Sequence, residues 1–266
     1  MDIVKQAVKV VYKLKGIKLT SVHDGDIDQI SSLVVNGFRE ERKHVPILRS
    51  SFERDMTFHP NLRKLVKEAP SVAAHRDGRL VGFLTGFVMP SWRGKRSVYC
   101  PEWAHAAVGA DRRGVYQLMY AEISKKWVAD RCNTHLITHF AHNVEIIDTF
   151  SWFGFGMAAV DAIRDLNPLK DVDSVVEIRK ATMDDLGSVT SLNHQFHQYM
   201  TGAPIFLAPN EESENIRDIL SNTSMALWIA LKDGRAVSFM SVGPSRNHEA
   251  ALVIQDERIA SIHGAF

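Results

Sequence analysis

The chain carries twelve histidines, and their spacing decides what chemistry they can share. His135 and His139 fall on one face of a predicted strand in the stretch THLITHFAH. Four residues of extended chain span about 13 Å, too far for one metal ion that must lie about 2 Å from each ligand. His142 has the opposite parity. His194 and His197, three apart on a predicted helix, suit a shared ion, but no third ligand accompanies them and no metal is expected. Glu102 and His105 pair a carboxylate with an imidazole, side chains that move protons near neutral pH. Three residues apart on a strand, they are expected to face opposite sides.

The elements that position these groups follow from periodicity. A strand at 17–22 leads to a helix at 25–37, then a helical stretch NLRKLVKEA after Pro60. A hairpin is expected at 72–89, a strand EWAHAAV at 102–108, and a helix at about 114–130 with Leu118, Met119, Ile123 and Trp127 or Val128 inward. A strand at 134–142, a short helix VEIIDTFSWFGF and a last strand MAAVDAIRDL complete the order. Phe150, Trp152, Phe153 and Phe155 read as core where helix meets sheet. The fold class expected is α/β, more closely an α+β mixed sheet with helices packed on it.

Composition removes several function classes. The 266 residues are 45% apolar and 24% charged, with a formal net charge of +1. That balance gives no general electrostatic case for nucleic acid or an anionic membrane. Cys100 and Cys132 are too few for a disulfide framework and fit a reducing, cytoplasmic setting. No apolar run is long enough to span a bilayer. Residues 1–16 read as an amphipathic helix, with apolar side chains at 3, 4, 7, 8 and 11 and lysines at 5, 9, 13 and 15.

The chain also repeats itself. Asp26, Ile27, Ile30 and Leu33 match Asp185, Leu186, Val189 and Leu192, with acidic residues at a helix start, where they are favourable. The hairpin VAAHRDGRLVGFLTGF matches LWIALKDGRAVSFMSV, each turning on Asp-Gly. AHAAV at 104–108 matches IHGAF at 262–266, so His105 aligns with His263. The domains expected are one complete unit at 17–166, a linker at 167–175 and the N-terminal half of a second unit at 176–266.

AAVGADRRG resembles the AVxPxxRG stretch that ends the fourth strand in the GNAT superfamily of acyl-CoA N-acyltransferases. FSWFGFGM resembles the aromatic-xxLGF signature of that family's late helix, and IRKATMDDL its opening strand and helix. The resemblance covers roughly 17–166 and 176–266. It implies a GNAT-like fold in tandem copies, acetyl-CoA as co-substrate, and a small-molecule amine or a peptide as acceptor. It implies no nucleic acid, membrane or metal.

The family holds the acyl-CoA pyrophosphate on (Arg/Gln)-x-x-Gly-x-(Gly/Ala) at a helix N-terminus, where backbone amides favour an anion. Here that place reads DRRGVYQLM. In one register the motif falls on Arg113, Tyr116 and Leu118; in the other it falls on Asp111, Gly114 and Tyr116. Either way a glycine position holds a bulky side chain, so Arg113 and Gly114 belong to a degenerate loop. The tyrosine that the family often uses as general acid in the late helix is Phe150 here, which has no proton to give. Glu102 or His105 would be the base toward the amine. In the second unit, backbone groups of Ala265 and Phe266 would hold the pantetheine arm, and His194, His197 and Tyr199 would line the acceptor pocket. The second pyrophosphate loop would fall past Phe266, as in a truncated gene or a fragment. The expected function is acetyl transfer from acetyl-CoA to an amine by the second unit, this stretch alone being inactive. The alternatives are a non-catalytic GNAT-like binding or regulatory module, and an acetyltransferase like mycothiol synthase, whose tandem architecture is similar.

Overall fold

The computed structural model describes residues 16–54, 56–168, 175–203, 207, 215–245, 252–254 and 259–266. The amphipathic segment expected at 1–16 and most of the linker expected at 167–175 lie outside them. The chain forms two compact units. The first comprises Met1–Ile163 with His248–Val253, and the second Arg164–Asn247 with Ile254–Phe266.

In the first unit, β1 (Ile17–Thr20), β2 (Ser71–Arg76), β3 (Arg79–Thr85) and β6 (His105–Ala107) form a sheet in the order β1-β2-β3-β6. β4 (Phe87–Trp92), β5 (Lys95–Cys100) and β7 (Thr134–Ile137) form a second, in the order β4-β5-β7. All pairs are antiparallel except β5 with β7. Helix α1 (Ile27–His44) packs on β3 and β6, with α2 (His59–Glu68) beside it. Helix α3 (Arg112–Ala129) packs on β2 and β3 and contacts α4 (Val144–Trp152). The core on the α3 side gathers Val72, Leu84, Val98, Val115, Met119, Ile123, Trp127 and Phe150. The mixed α/β class read from periodicity is therefore present.

The hairpin expected at 72–89 is longer and double. β3 and β4 run nearly end to end, as do β5 and β6, and the strands turn back at Arg93-Gly94, both at positive φ (50° and 72°). That pair is the signature of a tight hairpin turn; Pro90 and the polar run around it mask the alternation. Gly86 sits at the junction of β3 and β4. A Cβ there would lie 2.6 Å from Cys100 Sγ, 2.8 Å from Val98 Cγ1 and 2.9 Å from the Tyr99 carbonyl oxygen. With backbone among those atoms, Gly86→Ala is expected to cost about 1–3 kcal/mol through overpacking. Chemical denaturation checks this, and an unchanged midpoint would contradict the packing described.

Two other expectations are corrected. The last strand at 157–166 is absent: the described chain there is irregular, with Met157, Val160 and Leu166 exposed. Its apolar content suggested a strand, but it pairs with no strand among the described residues. Trp152, expected in the core, is 76% exposed, while Phe150 beside it is buried. In α3 the inward residue is Trp127 rather than Val128.

In the second unit, β8 (Glu177–Lys180), β9 (Ala226–Lys232), β10 (Arg235–Pro244) and β11 (Ala260–Ala265) form an antiparallel sheet in the order β8-β9-β10-β11. Helix α5 (Leu186–Thr201) packs on β10, and α6 (Ile216–Ser221) on β9. The two units open alike. Asp26 accepts from the His23 amide at 2.9 Å, and Asp185 from the Thr182 amide at 2.8 Å. Each carboxylate closes a single 3-10 turn before a long helix. Both Asp-Gly turns take positive φ, Asp77 at 50° and Asp233 at 51°.

Candidate functional site

The parallel pairing of β5 with β7 ends where the Thr138 amide donates to the Cys100 carbonyl. Residues 101–104 then turn, and β6 leaves along β3. Two parallel strands that part leave a wedge between them with unsatisfied backbone groups. Side chains fill this one. His105 Nε2 lies 2.8 Å from the Thr138 carbonyl oxygen, which can only accept, so Nε2 carries the proton. Nδ1 is then an acceptor, and the Tyr116 hydroxyl donates to it at 2.9 Å. Burial lowers the His105 pKa to about 4, so the ring is neutral at physiological pH. Burial also pushes the Tyr116 phenol up.

One turn further along α3, Tyr120 repeats the arrangement. Its hydroxyl lies 2.9 Å from His135 Nδ1, while His135 Nε2 donates to the Cys132 carbonyl at 3.0 Å. His139 lies beyond β7, stacked on Phe150 at 4.9 Å and edge-on to His105 at 5.5 Å. Burial, then the neighbouring His105, lowers its pKa to about 3. His135 and His139 thus do not share a strand face, since β7 ends at Ile137. Among the described residues no cluster could hold a metal ion.

Glu102 is not on a strand. It lies in the turn before β6, and both it and His105 are buried, at 4% and 6% exposure. The expectation of opposite strand faces fails because the turn breaks the alternation. Glu102 Oε1 accepts from the Val253 amide at 3.2 Å, and Oε2 is buried with no hydrogen-bond partner. Burial raises its pKa to about 7. The His105 nitrogens, by contrast, are both engaged within the fold.

Ion pairs flank the loop ahead of α3, where the sequence placed the degenerate motif. Asp111 stands at the helix start, ion-paired with Arg76 of β2. The carboxylate makes no cap bond to the helix amides, and its negative charge at the helix start disfavours a second anion there. Arg113 is exposed and lies over the Trp152 ring at 5.5 Å, and Gly114 is buried in the first turn. Arg112 is held by Glu145 at 2.6 Å. The adjoining depression, about 350 Å³, is lined by Glu40, Arg112, His142, Asn143, Val144 and Glu145. Two of those six residues are carboxylates, and the one arginine is already paired.

In the second unit, Phe266 N–H donates to the Phe239 carbonyl at 3.0 Å, and the Phe239 amide donates back to Phe266 at 3.0 Å. Antiparallel ladders alternate, so Ala265, opposite Met240, turns its N–H and C=O away from β10, toward the open edge of β11. Of the two backbone positions expected to hold an acyl-CoA, only Ala265 therefore presents its groups; those of Phe266 belong to the sheet. The Phe266 ring packs on Phe196 at 5.8 Å. His194 and Tyr199 are exposed on α5, and His197 packs against Phe196 at 5.4 Å. His194 Nε2 lies 3.0 Å from Gln198 Nε2 on the same helix. Sequence reading missed the Tyr116–His105 and Tyr120–His135 pairs. The signal was there: Tyr116 and Tyr120 are four apart on one helix face.

No family model matches the sequence, and no curated protein matches it. Solved structures do. A GCN5-related N-acetyltransferase from Ralstonia eutropha is 10% identical, covering 57% of this chain and 100% of its own, with a TM-score of 0.45. An aminoglycoside N-acetyltransferase in complex with CoA is 12% identical over 57% of this chain and 95% of its own, with a TM-score of 0.44. A ribosomal-protein-alanine N-acetyltransferase from Brucella melitensis is 14% identical over 56% and 99%, with a TM-score of 0.42.

Proposed function

We propose that this chain is built on GNAT-like acyl-CoA N-acyltransferase units and that its first unit is a non-catalytic copy. The observation that carries this is the filled wedge between β6 and β7. Where an acyl-CoA arm would run between the parting strands, His105 joins Tyr116 of α3 to the Thr138 carbonyl. The Asp111–Arg76 pair at the start of α3 supports the same reading. Transfer of an acetyl group from acetyl-CoA to an amine then falls to the second unit, with the outward backbone groups of Ala265 on the cofactor side. The acceptor, a small-molecule amine or a peptide, would be met on the face of α5 that carries His194, His197 and Tyr199.

A photo-activatable acetyl-CoA analogue, followed by peptide mapping, tests this assignment. The expected result is labelling confined to peptides containing Ala265, with none at 105–119. Labelling at 105–119 would sink the non-catalytic reading of the first unit. No specific labelling anywhere would sink the acyl-CoA reading and favour the second one, a binding module without acyl transfer. The orphan Glu102 Oε2, a buried polar atom beside the wedge, is the feature that favours that alternative.

A further inference from the structure

The charge that nearly cancels over the whole chain, at +1, does not cancel locally. In the first unit, cations gather where the β4–β5 hairpin meets the end of α3. Arg96 makes the junction: its Nε donates to the Asp130 carbonyl at 3.0 Å and its Nη2 to the Asp130 carboxylate at 2.7 Å. The hairpin tip SWRGKRS also brings Arg93 and Lys95, and it contains no acid. The stretch KKWVADRC, which closes α3, brings Lys126 and Arg131, and its single acid is the Asp130 that Arg96 holds. Lys125 is paired with Glu122 one turn back. Lys95, Arg96, Lys126 and Arg131 are all exposed.

The same turn holds an aromatic ring. Trp92 is partly exposed and opposite Lys95 across the hairpin, and the Arg93 guanidinium lies over its ring at 5.5 Å. The positive φ of Arg93 and Gly94 fixes the tight turn that carries them.

These parts answer to one kind of ligand. Ammonium groups and guanidinium forks hold phosphate oxygens. A ring with a guanidinium beside it offers a plane on which unpaired bases stack. A membrane surface would call instead for exposed apolar side chains to enter the interface, and the hairpin tip has no large apolar residue among the exposed ones. An acidic polypeptide would match the charge and leave the ring unused.

We propose that the junction of the β4–β5 hairpin with the end of α3 binds single-stranded nucleic acid. Lys95, Lys126 and Arg131 take the phosphates, a base stacks at the Trp92–Arg93 pair, and Arg96 fixes the two segments together through Asp130. This does not depend on the acyltransferase reading.

The probe is a fluorescent oligouridylate of about twelve nucleotides, within the span of a single-strand site, titrated into the full chain and read by anisotropy. Three neutralised phosphates predict that affinity falls about twentyfold between about 50 and 200 mM salt. Lys95→Glu and Arg131→Glu should each weaken binding about fivefold or more and flatten the salt dependence. Trp92→Ala should weaken binding to a similar degree and leave the salt dependence unchanged, because stacking releases no counterions, and Trp92→Phe should restore most of it. These positions lie in surface turns, and far-ultraviolet circular dichroism verifies that each variant folds. Lys67→Glu, at an exposed position on α2, changes net charge equally and should leave binding unaltered. No binding up to about 100 μM at low salt overturns the proposal. So does equal weakening by Lys67→Glu, because net charge alone would then account for the affinity. Tighter binding of a duplex of the same length, or binding to phosphatidylserine vesicles in place of the oligonucleotide, overturns it as well.

Discussion

Replacing His105 with alanine should destabilise the first unit by about 3–4 kcal/mol, among the larger single-residue effects expected here. The imidazole is buried and makes two hydrogen bonds, to the Tyr116 hydroxyl and the Thr138 carbonyl. Its removal leaves both partners unsatisfied in the interior and opens a void between β6 and β7. For a unit of this size the melting temperature should fall by about 10 °C. Tyr116→Phe removes one of the two bonds and should cost about 1–2 kcal/mol. The double variant should cost less than the sum, because the two residues share a contact. A base in a working active site would behave otherwise, losing activity while stability held. Thermal and urea unfolding of the three variants decide between these, and a His105→Ala protein as stable as the parent would refute the structural role.

The second large effect is the pH dependence of stability. His105 and His139 are held neutral, with pKa values lowered from 6.5 to about 4 and about 3. Below pH 6.5 the unfolded chain takes up protons that the folded one refuses. Their contribution is therefore present above that pH and lost as pH falls toward the folded values. Glu102 acts in the opposite sense. Its pKa rises from 4.5 to about 7, so the folded form keeps a proton that the unfolded form gives up, and stability is lost as pH rises across that interval.

At pH 5.5 two histidines outweigh one carboxyl, and stability should fall by about 1 kcal/mol per pH unit toward acid. Near neutrality the terms cancel, which places the optimum there. His139→Phe should flatten the profile between pH 5 and 6, since one histidine and one carboxyl then oppose each other. It also replaces a buried Nδ1 that lacks a partner. Glu102→Gln should raise stability at pH 8 and steepen the acid limb. Urea midpoints from pH 4.5 to 8 measure all three. A His139→Phe profile parallel to the parent's would mean that His139 protonates freely in the fold.

What the sequence makes legible follows from how local each feature is. Asp77-Gly78 and Asp233-Gly234 announce hairpins because a tight turn needs positive φ there, and both turns take it. Asp26 and Asp185 announce helix starts because their carboxylates cap amides three residues back. The closure of the wedge is different. It depends on Tyr116, His105 and Thr138 meeting from three elements, and periodicity reads one element at a time. The β4–β5 hairpin was hidden because Pro90 and the charged residues around Arg93 disrupt alternation. The stretch 157–166 looked like a strand because its composition suits one, but a strand also needs an edge to pair with. Glu102 illustrates the remaining gap: its Oε1 partner is the amide of Val253, 151 residues away in sequence.

The central claim of the proposed function is that the start of α3 in the first unit takes no acyl-CoA, because the Asp111 carboxylate, paired with Arg76, stands at that helix start. Hydrogen exchange at the amides of Arg112, Arg113 and Gly114, with and without 1 mM acetyl-CoA, tests it most directly. The predicted result is identical exchange in both conditions. Protection of those amides by tenfold or more would contradict it.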